Sequence, residues 1–108
     1  MQSDAEDDAD VIEVRKTRNF EDWFTSLRDQ QARLRVQVRI DRLAFGNPGQ
    51  HRVLAGGVCE MKIDHGPGYR VYYMKHGDAW VLLLCGGDKA SQRADIKAAQ
   101  ALAKELEN

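Results

Sequence analysis

The stretch RLRVQVRIDRL, residues 33–43, supports two different folds. Leu34, Val36, Val38 and Ile40 alternate strictly with polar residues, which is the period of a half-buried strand. Wound as a helix, the same stretch divides into two stripes. Val36, Ile40, Leu43 and Ala44 fall on one side; Leu34, Val38 and Phe45 fall on the other. Two stripes suit a helix wedged between a sheet and a neighbouring helix. The run begins near Gln30 and extends about 16 residues, longer than an ordinary strand. Length favours a helix, but the pattern alone leaves both readings open.

The flanking segments are clearer. VIEVRKT, residues 11–17, alternates as a strand. Asn19 is a candidate N-cap for a short helix over residues 20–28, where Phe20, Trp23, Phe24 and Leu27 recur at helical spacing. FGNPGQH, residues 45–51, breaks the chain. Two strands, residues 57–64 and 69–75, are joined through Gly66-Pro67-Gly68. A turn at His76-Gly77-Asp78 leads to AWVLLLC, apolar on both faces and hence an internal strand, which Gly86-Gly87 closes. Residues 90–106 form a helix rich in Ala, Lys, Glu and Leu, with Ile96, Ala99, Ala103 and Leu106 on one stripe. The expected order is β-α-α-β-β-β-α, an α+β domain with a small antiparallel sheet packed against helices.

The chain has 108 residues, 43% of them apolar and 31% charged, which bounds it to one globular domain with a modest core. The net charge of −1 conceals an asymmetry. Residues 1–10 contain five acids and no base, leaving sixteen bases against twelve acids in residues 11–108. The acidic stretch reads as a disordered, solvating tail, with shielding of a basic site in cis as the sharper alternative. An acidic N-terminus does not resemble a secretion signal, and the longest apolar run is too short to span a bilayer. Cys59 and Cys85 lie in apolar runs and read as buried free thiols, consistent with a cytoplasmic location. No Cys/His spacing suggests zinc.

The hairpin EMKIDHGPGYRVYY, residues 60–73, carries the chemistry. Strand parity sets Met61, Ile63 and Val71 toward the helices and Lys62, Arg70 and Tyr72 together on the opposite face, with Glu60 able to pair with one of the bases. The plain reading is a solvated sheet face with cross-strand ion pairs. The functional reading is a grip on a phosphodiester. RNA cleavage needs a base for the 2′-hydroxyl, positive charge for the phosphorane and an acid for the leaving oxygen. His65 and Tyr72 are the nearest proton carriers; Lys62, Arg70 and Lys89 supply charge. GGDKASQ, residues 86–92, opens a helix whose free N–H groups suit phosphate, although Asp88 competes as a cap. His51 and His76 read as loop residues. Arg33, Arg39 and Arg42 are candidate RNA-backbone contacts, or else a solvated helix face. No acidic metal cluster is apparent, so a metal-free mechanism without a cofactor is expected.

The strings GPGYRVY and GGDKASQRADI, with FEDWFTSLRD and RIDRLAFGNPG, resemble the phage-derived addiction-module killer proteins, HigB-like members of the RelE/ParE toxin superfamily. The resemblance spans residues 11–104 and implies a helix for the 30–45 segment. It further implies a toxin paired with a helix-turn-helix, HigA-like antitoxin, reaching operator DNA only through that antitoxin and having no membrane role. In RelE-like members toxicity comes from cutting messenger RNA on the ribosome. Lys62 and Arg70 match basic hairpin residues that act on RNA in such toxins, and Lys89 lies near a further basic position. Gln92 is added as an RNA contact. Glu60 stands where some relatives place another base, and no Tyr or His follows Gln92 to serve as acid. A ParE-like, non-enzymatic gyrase poison, or a degenerate toxin acting only within an autorepressing complex, is the alternative. The helices and the 79–85 strand are expected to anchor the antitoxin.

Overall fold

A computed structural model describes residues 11–107; the acidic stretch 1–10 and the tail assigned to it lie outside the described residues. The chain runs β1 (Glu13–Lys16), α1 (Arg18–Ser26), α2 (Gln30–Ala44), β2 (His51–Val53), a 3-10 turn (Ala55–Gly57), β3 (Cys59–Ile63), β4 (Tyr69–His76), β5 (Trp80–Gly87) and α3 (Gln92–Glu107). The five strands form one sheet in the order β1-β5-β4-β3-β2. The α+β class holds, but two details depart from expectation. The sheet is mixed, because β1 pairs parallel to β5. A fourth strand after the helices, β2, adds antiparallel to the edge of β3. Alternation within a segment carries no information about the direction of its partner, and three residues are too few to show a period.

Residues 30–44 are helical. The Asp29 side chain caps α2, accepting from the Gln31 N–H at 2.9 Å. Ala32, Val36, Ile40 and Leu43 are buried against the sheet. The second stripe is not covered: Leu34 is 61% exposed, Val38 45% and Phe45 68%. The expected wedge fails because α1 packs over β5 and α2 over β3, so the two helices lie side by side on one layer. The cap of α1 is Thr17 rather than Asn19. Its Oγ1 accepts from the Phe20 N–H at 3.0 Å and donates to the Leu84 carbonyl at 2.6 Å, tying the helix start to β5.

The sheet separates two cores. Phe20, Val36, Ile40, Met61, Val71, Tyr73, Val81 and Leu83 fill the α1/α2 side. Val58, Tyr72, Leu84, Ala99 and Ala103 fill the other side, beneath α3. The two alanines let α3 lie close to the strands, where a larger side chain would hold it off. β5 is internal and both its faces are covered, so the 79–85 strand is closed to a partner. Among the described residues no helix is long and apolar enough to cross a membrane.

A register shift in β5 controls which face its end presents. Tyr72 pairs with Cys85 and Tyr73 with Leu83, so Leu84 is the extra residue of a bulge. Leu84 and Cys85 consequently both face α3, and the parity beyond them reverses. Gly86-Gly87 does not end the strand but continues it, opposite Val71 and Arg70. The Trp23 indole lies over Gly86 on one face, and the Asp95 carboxylate and Ser91 hydroxyl lie over Gly87 on the other.

Candidate functional site

The pairing of three strands assembles the site. Lys62 on β3 lies directly opposite Arg70 on β4, and Glu60 lies opposite Tyr72. β2 then sets Arg52 opposite Glu60. These residues share the α3 face, but α3 packs over β4 and β5 and leaves the β3–β2 end open. There a concavity of about 390 Å³ is lined by Arg52, Glu60, Lys62, Arg70 and Gln92.

Arg70 is only 6% exposed. Its Nη1 donates to the Gly68 carbonyl at 2.7 Å, while its buried Nε has no hydrogen-bond partner among the described residues. A buried guanidinium facing Lys62 across the ladder is costly in the free protein, because like charges directly opposite repel. An anion in the concavity would relieve the repulsion.

Gly68 adopts φ +81°, and a Cβ there would press on Arg70 Nη1 and the Lys89 stem. The Lys89 N–H also donates to the Pro67 carbonyl at 3.3 Å. The Gly-Pro-Gly turn and the 88–90 loop are thus laid together, bringing exposed Lys89 beside Arg70. The start of α3 is closed to an anion, as the cap reading anticipates: Asp88 Oδ1 accepts from the Ser91 N–H at 3.1 Å.

Tyr72 does not emerge with Lys62 and Arg70. It is fully buried, because α3 covers this part of the face. Its hydroxyl donates to Glu60 Oε2 at 3.0 Å. Burial, followed by that hydrogen bond to a carboxylate, pushes the phenol pKa far above the ordinary tyrosine range. Tyr72 is therefore a fixed donor inside the protein rather than a proton carrier for a ligand. Glu60 also accepts from Arg52 Nε at 2.6 Å and from Gln92 Nε2 at 2.9 Å. Burial alone would raise the Glu60 pKa; the donors from Arg52, Gln92 and Tyr72 outweigh it and hold the carboxyl below its ordinary value of 4.5.

Two predictions follow from this network. Tyr72→Phe removes one donor from Glu60 and is expected to cost about 1–2 kcal/mol in urea unfolding. A lowered carboxyl pKa stabilises the fold above the unfolded-state value and loses that contribution as pH falls through the folded one. The stability advantage of the wild type over Glu60→Gln is therefore expected to be constant near neutrality and to shrink as pH drops below about 4.5. A difference between the two that stays flat down to pH ~3 would show that Glu60 is not held ionised by its donors.

The remaining sequence candidates do not converge on the concavity. His65 turns toward the α1/α2 side, where its Nε2 meets Asp29 Oδ2 at 3.2 Å and its ring stacks on Tyr69. That contact holds the Asp29 carboxyl below its ordinary value. Arg33, Arg39 and Arg42 lie on α2, across the sheet from Lys62 and Arg70, so the basic residues do not form one surface. Arg33 donates to the Leu27 carbonyl. Arg39 donates to the carbonyls of Lys62 at 2.6 Å, Pro48 at 2.8 Å and Gln50 at 3.1 Å, so it serves as a brace behind the concavity. Arg42 is exposed beside Leu34 and Val38. Gln92, by contrast, does reach the concavity. Cys59 and Cys85 are free and half-buried, and burial raises both thiols, Cys85 to about 12.

Sequence reading misses Arg52, which sits on a three-residue strand behind a Pro-Gly turn, where no period is legible. His51 on the same strand pairs with Met61, so its side chain lies on the α1/α2 side, near Leu43, Pro48 and Tyr73 and away from Lys62 and Arg70. Its Nδ1 lies 2.8 Å from the Gly49 carbonyl.

Fold and site together define a small three-layer α+β protein with a basic concavity, braced by one buried carboxylate, at one end of its sheet. No family model matches the sequence. The chain is similar to an uncharacterized protein of Haemophilus influenzae, 43% identical over 96 residues that span 89% of this chain and 97% of that protein. It belongs to the same family as that protein.

Proposed function

We propose that the protein is the toxin of a type II toxin–antitoxin pair, of the HigB-like branch of the RelE/ParE superfamily. It acts in the cytoplasm as a ribosome-dependent, metal-independent endoribonuclease on messenger RNA. One observation carries the reading: the cross-strand Lys62–Arg70 pair, with an unpartnered buried guanidinium nitrogen, in an open basic concavity. Such a pair suits a phosphoryl group, because Arg donates in a planar fork and Lys adds a mobile point charge.

In the proposed reaction the 2′-oxygen attacks the adjacent phosphorus. The 2′-O–P bond forms as the P–O5′ bond breaks, leaving a 2′,3′-cyclic phosphate and a 5′-hydroxyl. Lys62, Arg70 and Lys89 stabilise the charge gathering on the phosphorane. The 2′-hydroxyl gives up its proton to water, and the leaving oxygen takes a proton from the Lys62 ammonium. Tyr72 braces Glu60 at the site, and neither Tyr72 nor His65 is assigned a chemical step. The partner is a helix-turn-helix antitoxin, for which the Leu34, Val38 and Phe45 stripe on α2 offers an apolar seat.

A second reading, a non-enzymatic gyrase poison, gains weight from the absence of Tyr72 and His65 from the concavity. Induction without the antitoxin separates the two. Codon-positioned messenger RNA ends that vanish in Arg70→Ala support cleavage. Intact transcripts with broken DNA would establish the gyrase reading instead.

A further inference from the structure

A second concavity, of about 400 Å³, adjoins the first and shares Arg52 and Gln92 with it. Its wall is the flank of α3 toward β2, where Arg93 and Lys97 stand one turn apart beside half-buried Ile96. Both bases are exposed, and neither pairs with a carboxylate among the described residues. The acid on the first turn of the helix, Asp95, points the other way, onto Ser91 and Gly87. Glu60, at the junction, is already engaged by Arg52, Gln92 and Tyr72. Arg52 therefore stands between two troughs. Its Nε is anchored to Glu60 at 2.6 Å, while its side chain remains 56% exposed.

We infer that a single-stranded RNA follows this continuous basic track. It passes from the Lys62–Arg70 pair, over Arg52, and along α3 past Arg93 and Lys97. Glu60 at the junction is 5% exposed, and the exposed charges along the route are all positive, which suits a phosphate backbone rather than a peptide of mixed charge. Ile96 offers an apolar surface on which a base or sugar can rest. Arg52 acts as the positioning residue at the crossing, because Glu60 restricts its guanidinium to the lip shared by both troughs. The inference rests on the proposed RNA substrate and adds its path.

The test compares two unstructured RNAs by fluorescence anisotropy over a range of salt. One is about four nucleotides long and covers the first concavity; the other, about twelve, covers both. The double variant Arg93→Ala/Lys97→Ala is expected to weaken the longer RNA by about tenfold and to reduce its salt slope by about 1.4, while the shorter RNA is unaffected. Lys16→Ala, on the far edge of the sheet, removes a charge off the track and is expected to change neither. Arg70→Ala is expected to weaken both RNAs. Unchanged affinity and slope for the longer RNA in the double variant, with both RNAs weakened by Arg70→Ala, overturns the path and leaves the substrate standing. Indifference of both RNAs to Arg70→Ala, or no RNA binding by the wild type, overturns the substrate and the path together. Equal loss in Lys16→Ala and the double variant reduces the effect to net charge and also overturns the path.

Discussion

Arg70→Ala is expected to lower the rate of RNA cleavage by about 10²–10³-fold, the usual effect of removing one preorganised donor from a developing charge. The fold should survive. Arg70 makes a single hydrogen bond, to the Gly68 carbonyl, and its buried Nε makes none. Removing the guanidinium also relieves repulsion with Lys62 opposite. The loss in stability is expected to stay within about 1 kcal/mol, read by urea unfolding. Arg70→Lys is expected to recover only a small part of the rate, since an ammonium cannot hold Gly68 and present a second donor in the same plane. Full cleavage by a folded Arg70→Ala protein would remove the concavity from the chemistry. A large loss in stability would instead make Arg70 a structural residue.

Gly87→Ala carries the largest expected effect on folding, a loss of about 3 kcal/mol and a fall of roughly 15 °C in Tm. A Cβ at Gly87 would overlap the Asp95 carboxylate and crowd the Ser91 hydroxyl. Asp95 cannot retreat cheaply, because its carboxylate is bonded to Ser91 Oγ at the start of α3. Ser91 is in turn tied to Asp88. The helix would have to lift from the sheet, opening the packing of Ala99 and Ala103 below. Gly57→Ala is the matched control: its φ of +76° strains any side chain, but open space surrounds it. Its cost is expected to be only about 1 kcal/mol. Gly87 itself has no positive φ, so an effect there no larger than at Gly57 would show that the contact with α3 does not make Gly87 necessary.

Much of this molecule can be read before it is folded. Phe20, Trp23 and Phe24 mark α1, the Asn-Pro-Gly turn ends α2, and the alternation of Met61, Ile63 and Val71 assigns the helix-facing side of the hairpin. The same parity rule brings Lys62 and Arg70 to one place, because alternation is a local property of extended backbone. The failures share one cause. Tyr72 has the right parity but the wrong exposure, since parity names a face and does not say what covers it. His65 lies close to the site in sequence and on the other side of the sheet in space. Arg39 reads as a surface base and is consumed by three carbonyls from two segments.

By itself, then, the sequence determined most of the elements, but neither β2 nor, by pattern alone, the helical state of residues 30–44. It also determined the inward face of the hairpin and the pairing of Lys62 with Arg70. Each of these depends on residues a few positions apart, or on two strands joined by one short turn. Tertiary structure alone decided that β1 is parallel, that the Leu84 bulge turns Gly87 toward α3, and that Glu60 gathers Arg52, Tyr72 and Gln92. Those outcomes depend on contacts between distant segments, where shape and desolvation select the partner and no local pattern records the choice.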